Sequence, residues 1–337
     1  MGSVLSFAAF DNPNARNAQI ASATPGDVVE SGWIPPDVRD RTGSLAHESI
    51  VAAMDSLRIV GRSAYENATK VCLWDCWKQA LGRDYLGIHQ FTGSCVGAGG
   101  GNALFSLAAA DVVKRGDREI AKVPFWLYPY GVSRLLGGMR GRGEGSFGST
   151  FAKAAGEAGH IAAEGPGLPS FEHGDGIVWG ASVEMEWSDG TRAPQEHRTA
   201  AKVHLVRSTA KCNSADDVRE AIKSFYPVTI ASNWGGLMRP PVVGSREPVL
   251  LNRRATTWNH QMTIQGWWDH PEHGELFYDL NQWGLDAHGR CPSGAPAGGF
   301  WIKRADLEAI VRQGETFAFS QFDGFPAPEQ PLNFSAF

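Results

Sequence analysis

The stretch GIHQFTGSCVGAGGGNAL, residues 87 to 104, closes a polar, glycine-punctuated loop on Cys95 and runs at once into an Ala/Leu-rich segment of helical character. This junction constrains the chain more than any other feature. A cysteine here sits at a helix N-terminus, where exposed amides and the positive end of the helix dipole stabilise a thiolate, the nucleophilic form of sulfur. Most cysteines are buried packing residues. A glycine-flanked loop-to-helix junction is an unusual place for one, so Cys95 is the candidate reactive atom.

A thiol nucleophile needs a base to take its proton and a third group to orient that base. Two later segments supply candidates. In TTWNHQMTIQGWW, residues 256 to 268, His260 opens an alternating run with Met262 and Ile264 that predicts a strand. In ELFYDLNQWG, residues 275 to 284, a second strand-like run ends on Asn281, Trp283 and Gly284. Between them DHPEHG carries the turn residues Pro271 and Gly274, so a hairpin is expected that brings Asn281 beside His260 across 21 positions.

These residues resemble the papain-like cysteine protease superfamily, whose chain order is a Gln-bearing loop, Gly-Ser-Cys at a helix start, a His on a strand, then Asn-x-Trp-Gly. The likeness extends over most of residues 86 to 310. PFWLYPYGVSRLLGGMRGRGEGSFGSTFAKAAGEAGHIAAEG, residues 124 to 165, is similar to the bacterial or phage-like branch, with a Tyr/Arg-bearing helix, a Gly-Ser loop and a second helix. GGFWIKRADL, residues 298 to 307, resembles the glycine-aromatic strand that follows the Asn motif. Three departures stand out. Gln90 lies five positions before Cys95 instead of six, with His89 in the sixth place, and residue 96 is Val instead of an aromatic. Cys95 and His260 are 165 positions apart, longer than the roughly 130 to 150 usual for such a pair. The extra length is assigned to residues 166 to 210, read as an added or enlarged hairpin around a polar SDGT turn.

The resemblance implies an α+β, two-lobe fold with a helical lobe and an antiparallel, β-barrel-like lobe. The expected divisions are an extended N-terminal arm over residues 1–62, a helical lobe carrying the Cys over 63–165, a β-rich lobe carrying the His and Asn over 166–320, and a C-terminal tail over 321–337. It also implies a peptidase acting on peptide or protein substrates without a cofactor. Cys95, His260, Asn281 and Gln90 would be the catalytic residues, Gln90 serving the oxyanion. Gly145 and Ser146 would offer backbone to an extended substrate, and Trp283 would shield the His–Asn bond from water.

Composition bounds the other possibilities. At 337 residues and 42% hydrophobic content the chain can bury a large core. Its net charge of −5 with dispersed basic residues gives no footprint for nucleic acid, and the RGRGE stretch with Arg140 and Arg142 reads as a solvated turn. No membrane span is expected, nor a secretion signal, so the chain is expected to stay where it is made, cytoplasmic or virion-associated. Five irregularly spaced cysteines make no disulfide framework and suit a reducing compartment, so the family's usual disulfides are expected to be absent.

Residues 63–81 read as a helix with Cys72 and Cys76 on one face, as packing thiols rather than metal ligands. His270 and His273 have an H-x-x-H spacing but sit in a turn, where both would be solvated; no metal is assigned. Trp234, Trp267 and Trp268 are candidates to line the groove. The turn-rich residues 1–62 are expected to lie over the body or over an assembly neighbour, as an inhibitory propeptide or as an assembly arm. Two other classes share these residues: a non-catalytic papain-fold structural protein of a virus particle, tied to neighbours through its arms, and an amidase acting on cell-wall peptides.

Overall fold

The computed structural model describes residues 4–6, 28–30, 32–34 and 45–327, apart from 62, 64, 117–120, 140–143, 174–175, 191–192, 293 and 322. The turn with Arg140 and Arg142, most of the N-terminal arm and the tail from residue 328 lie outside the described residues. In chain order the main sheet takes its strands from Val4–Ser6 (β1), Val28–Glu30 (β2), Lys70–Cys72 (β3), Ser208–Lys211 (β4), Val228–Gly235 (β5), Thr256–His270 (β6), Gly274–Leu280 (β7), Gly299–Lys303 (β8) and Glu315–Ser320 (β9). The helices are Leu45–Ala52 (α1), Trp74–Leu81 (α2), Cys95–Lys114 (α3), Leu127–Leu136 (α4), Gly148–Glu157 (α5), Ala181–Trp187 (α6), Gln195–Ala201 (α7), Ala215–Lys223 (α8) and Arg304–Val311 (α9).

The alternation read around His260 produces β6, 15 residues long and buried over most of both faces. Its polar members turn toward α3: Thr263 Oγ1 donates to Gly99 O at 2.7 Å and Gln261 Nε2 to Val96 O at 2.9 Å. Because β6 is so long it serves two halves of the sheet. Its first half pairs with β2 and β5, and its second half with β7 and β3. The expected β6–β7 hairpin forms, from Thr263 opposite Leu280 to His270 opposite Gly274. The sheet runs β1-β2-β6-β5-β9-β4, with β7 and β8 branching from β6, and no closed barrel forms among the described residues. The barrel-like lobe expected from the sequence is therefore an open, branched α+β sheet. All its pairings are antiparallel except those of β1 with β2 and β2 with β6, where the N-terminal arm lies along the body.

α3 has the length and mean hydropathy (1.3) of a membrane span, yet 83% of that window is buried inside the protein, so it is the core helix. Glycines let the neighbours in. A Cβ on Gly97 would stand 2.6 Å from the Trp126 ring, one on Gly100 2.1 Å from Phe151, and one on Gly101 2.5 Å from Ile88.

Two local readings are corrected. Among the described residues, 166–210 hold a two-residue ribbon, Glu172–His173 with Ile177–Val178, before the helices α6 and α7. The buried residues of α6, Glu184 and Trp187, are three apart, a helical period that the preceding apolar IVWG masks. Cys72 lies in β3 and Cys76 in α2, so they share no helix face, although both are buried.

Candidate active site

Loop 87–94 delivers Cys95 to the first turn of α3, fully buried. Its Sγ accepts the backbone N–H of Gln261 at 3.4 Å, so β6 lies against the thiol one residue beyond His260. The register of β6 on β5 shifts between Thr257 and His260, an irregularity in the ladder beside the His. His260 Nε2 donates to Asn281 Oδ1 at 2.7 Å, and Trp283 stacks on the imidazole with centroids 4.7 Å apart. The structure thus joins His260, Asn281 and Trp283 directly and sets the Cys95 thiol against the backbone of the next residue, Gln261. Burial pushes the Cys95 thiol up to about 12, against backbone N–H groups of Gln261, Trp33 and Val96 that favour the thiolate.

The loop before Cys95 is tied down by carboxylates. Glu184, from α6, accepts from Phe91 N (2.9 Å), Thr92 N (2.9 Å), Thr92 Oγ1 (2.8 Å) and Ser94 Oγ (2.7 Å). Burial pushes Glu184 up to about 7, while the donors on Ser94, Thr92 and Phe91 pull the other way. Glu144 accepts from Gly93 N, and Tyr130 Oη donates to Gly93 O at 3.0 Å. Gln90 is buried in this loop, its Nε2 donating to Thr92 O at 2.9 Å and its backbone N–H to Gln282 O.

Behind Asn281 stands a residue that the sequence did not single out. Asn281 Nδ2 donates to His288 Nε2 at 2.8 Å, and His288 Nδ1 meets Met238 O at 3.1 Å. Glu184 and His288 carried no motif: one is an acid in a short, mostly apolar helix, the other lies in a turn seven residues past the Asn.

The N-terminal arm crosses the site. Trp33, 2% exposed, sends its backbone N–H to Asn259 O at 3.4 Å. Gly32 O accepts from Ser146 N at 2.8 Å, and Ile34 N donates to Ser146 O at 3.2 Å. Both backbone groups of Ser146 are thus held by the chain's own arm. Gly145 lies alongside, its carbonyl bonded to Arg134 Nη1 at 2.5 Å. The fit at Gly32 is tight: φ is +108°, and an added Cβ would stand 1.8 Å from Gly93 O.

Other candidates lie elsewhere. Trp267 and Trp268 are buried at the far half of β6, opposite Phe277 and Leu276, and Trp234 packs on Trp258; all three are core residues, not groove walls. His270 is buried rather than solvated. It accepts Glu272 N at Nδ1 (3.1 Å) and donates from Nε2 to Glu247 O (2.8 Å), so both ring nitrogens are engaged by backbone. All five cysteines are free thiols.

No family model matches the sequence, and no curated protein matches it. Among solved structures the chain is similar to xylellain, a cysteine protease from Xylella fastidiosa, at 15% identity and a TM-score of 0.51, over 86% of this chain and 96% of that one. It also aligns with procathepsin B S9 from Trypanosoma congolense, at 11% identity and a TM-score of 0.48 over 85% and 89% of the two chains. For the bromelain protease from Ananas comosus in complex with the E64 inhibitor the values are 12% and 0.48, over 75% and 99%. The likeness to xylellain gives the fold: the chain has the papain-like fold.

Proposed function

We propose that the chain is a papain-like cysteine peptidase that hydrolyses peptide bonds through Cys95, His260 and Asn281, and that residues 32–34 hold it in a closed, resting form. The observation that carries the reading is the His260–Asn281 hydrogen bond of 2.7 Å beside a helix-start thiol that accepts the amide of Gln261. Because Nε2 gives its proton to Asn281, Nδ1 is the basic nitrogen of the ring. It takes the proton of Cys95, the thiolate attacks the peptide carbonyl, and the imidazolium then protonates the leaving amine. Water hydrolyses the resulting acyl-enzyme. The Cys95 amide and the Gln90 side chain receive the oxyanion; one good donor is worth about 3 to 4 kcal/mol in such sites.

The closed form follows from who occupies the backbone. An extended substrate needs main-chain partners along the cleft, and Gly32 and Ile34 take both groups of Ser146 while Trp33 takes the carbonyl next to His260. Burial raises the Cys95 thiol, and the strap adds to that cover although the Trp33 N–H itself favours the thiolate. An arm paired with its own body favours self-coverage over attachment to a neighbour.

Gly32→Val tests the reading, because the new side chain has no room against Gly93 O. Intact-mass labelling with an epoxysuccinyl or iodoacetamide probe across pH 4 to 9 is expected to give one fast addition at acidic pH in that variant, slow addition in the parent chain, and none once Cys95→Ala or His260→Ala is added. Labelling of Gly32→Val that rises only near the free-thiol value of about 8.5 would sink the peptidase reading.

A further inference from the structure

An Asn amide can be turned over at little steric cost, exchanging its acceptor for its donor, so something must decide which end Asn281 shows to His260. The hydrogen bonds behind it supply the decision. Met238 O can only accept, so His288 Nδ1, 3.1 Å away, carries a proton. A neutral imidazole protonated at Nδ1 has only an acceptor at Nε2. That acceptor stands 2.8 Å from the Asn281 amide, which must therefore present its NH2 group there and its oxygen to the other side. On that other side Oδ1 lies 2.7 Å from His260 Nε2 and also accepts Gln282 N at 2.7 Å. Since Oδ1 cannot donate, His260 carries its proton on Nε2.

We infer that His288 is a positioning residue that, together with the Gln282 amide, fixes the Asn281 amide and, through it, the tautomer of His260. Burial keeps His288 neutral, holding its imidazole down to about 3, so the device works unchanged over the whole range in which a peptidase would operate. The ring is also locked mechanically, edge-on to Phe300 with centroids 4.7 Å apart. The polarity argument stands on the hydrogen bonds and on the burial that keeps His288 neutral; only its consequence for catalysis rests on the peptidase reading.

The test uses the full chain with Cys95→Ala, at pH 8, with histidine nitrogens labelled by 15N, so that no thiolate holds His260 charged. Long-range 1H–15N correlation spectra, assigned through His260→Gln and the His288 variants, report which ring nitrogen bears the proton. The expected result is His288 as the Nδ1–H form and His260 wholly as the Nε2–H form. His288→Phe keeps the ring packing but offers no acceptor, and is expected to turn at least a third of His260 to the Nδ1–H form. His288→Gln, which restores an acceptor, is expected to return it to Nε2–H. His260 unchanged in His288→Phe, or His288 found as Nε2–H in the parent, overturns the inference. Should His288→Phe fail to fold, the His288 tautomer decides alone. Tautomers as expected combined with no fast acidic labelling of Cys95 in Gly32→Val would remove the peptidase reading and leave this inference standing.

Discussion

The two walls of the cleft are held by opposite means. On the thiol side, the loop ending at Cys95 hangs on two carboxyl groups, Glu184 and Glu144, which accept the amides of Phe91, Thr92 and Gly93. On the imidazole side, His260 is held by an amide, an indole and, behind them, a histidine kept neutral by burial. A wall fixed by ionisable acceptors changes with pH, whereas one fixed by neutral groups of set polarity does not. The nucleophile thus sits on the adjustable wall and its base on the rigid one.

The largest blow to this contrast should come from Trp283→Ala. The indole is fully buried and stacked on His260, so its loss is expected to cost about 3 to 5 kcal/mol in chemical denaturation and to leave the His260–Asn281 bond open to water. Trp283→Phe should recover much of the stability. Equal midpoints for Trp283→Ala and the parent would show that the neutral wall does not depend on its shield.

Glu184→Gln sharpens the other side. The Glu184 carboxyl is raised from 4.5 to about 7. A carboxyl with a raised folded value contributes stability that is fully present below its unfolded value and lost as pH rises through the folded one. Parent stability relative to Glu184→Gln should therefore fall between about pH 4.5 and 7, by about 3 kcal/mol at 1.4 kcal/mol per unit. Urea midpoints of both chains at pH 4.5, 6 and 7.5 check it; parallel curves would mean that the carboxyl does not titrate there. Gly131→Ala probes the same wall mechanically. Its Cβ would meet Trp187 O at 2.4 Å and push α6, which carries Glu184, off α4, at a cost of about 1 to 3 kcal/mol by thermal unfolding. Smallest of all should be Asp216→Asn, in the solvent-facing Arg219–Asp216–Arg304 cluster remote from either wall, at under about 1 kcal/mol in the same measurement.

What could be read in the sequence was what short segments carry. The thiol at a loop-to-helix junction, the alternating strand opened by His260 and the hairpin that returns Asn281 to it all depend on residues close in the chain. Glu184 could not be read so, because its partners Phe91 and Thr92 lie about 90 positions away and only the packing of α6 joins them. His288 failed to register because a histidine in a turn looks solvated until the fold closes over it. Trp267 and Trp268 were misjudged for a related reason: β6 continues so far past His260 that its second half belongs to the core.

The glycines of α3 have a consequence for how the nucleophile comes into being. Gly97 and Gly99–Gly101 follow Cys95 within two turns, and each weakens an isolated helix by about 1 kcal/mol relative to alanine. The first turns of α3 therefore lack the means to form early in folding. They are set only when Trp126, Phe151 and Ile88 close onto the bare backbone that those glycines leave. The helix dipole that would activate Cys95 thus depends on tertiary packing, and a molecule in which that packing is undone loses it.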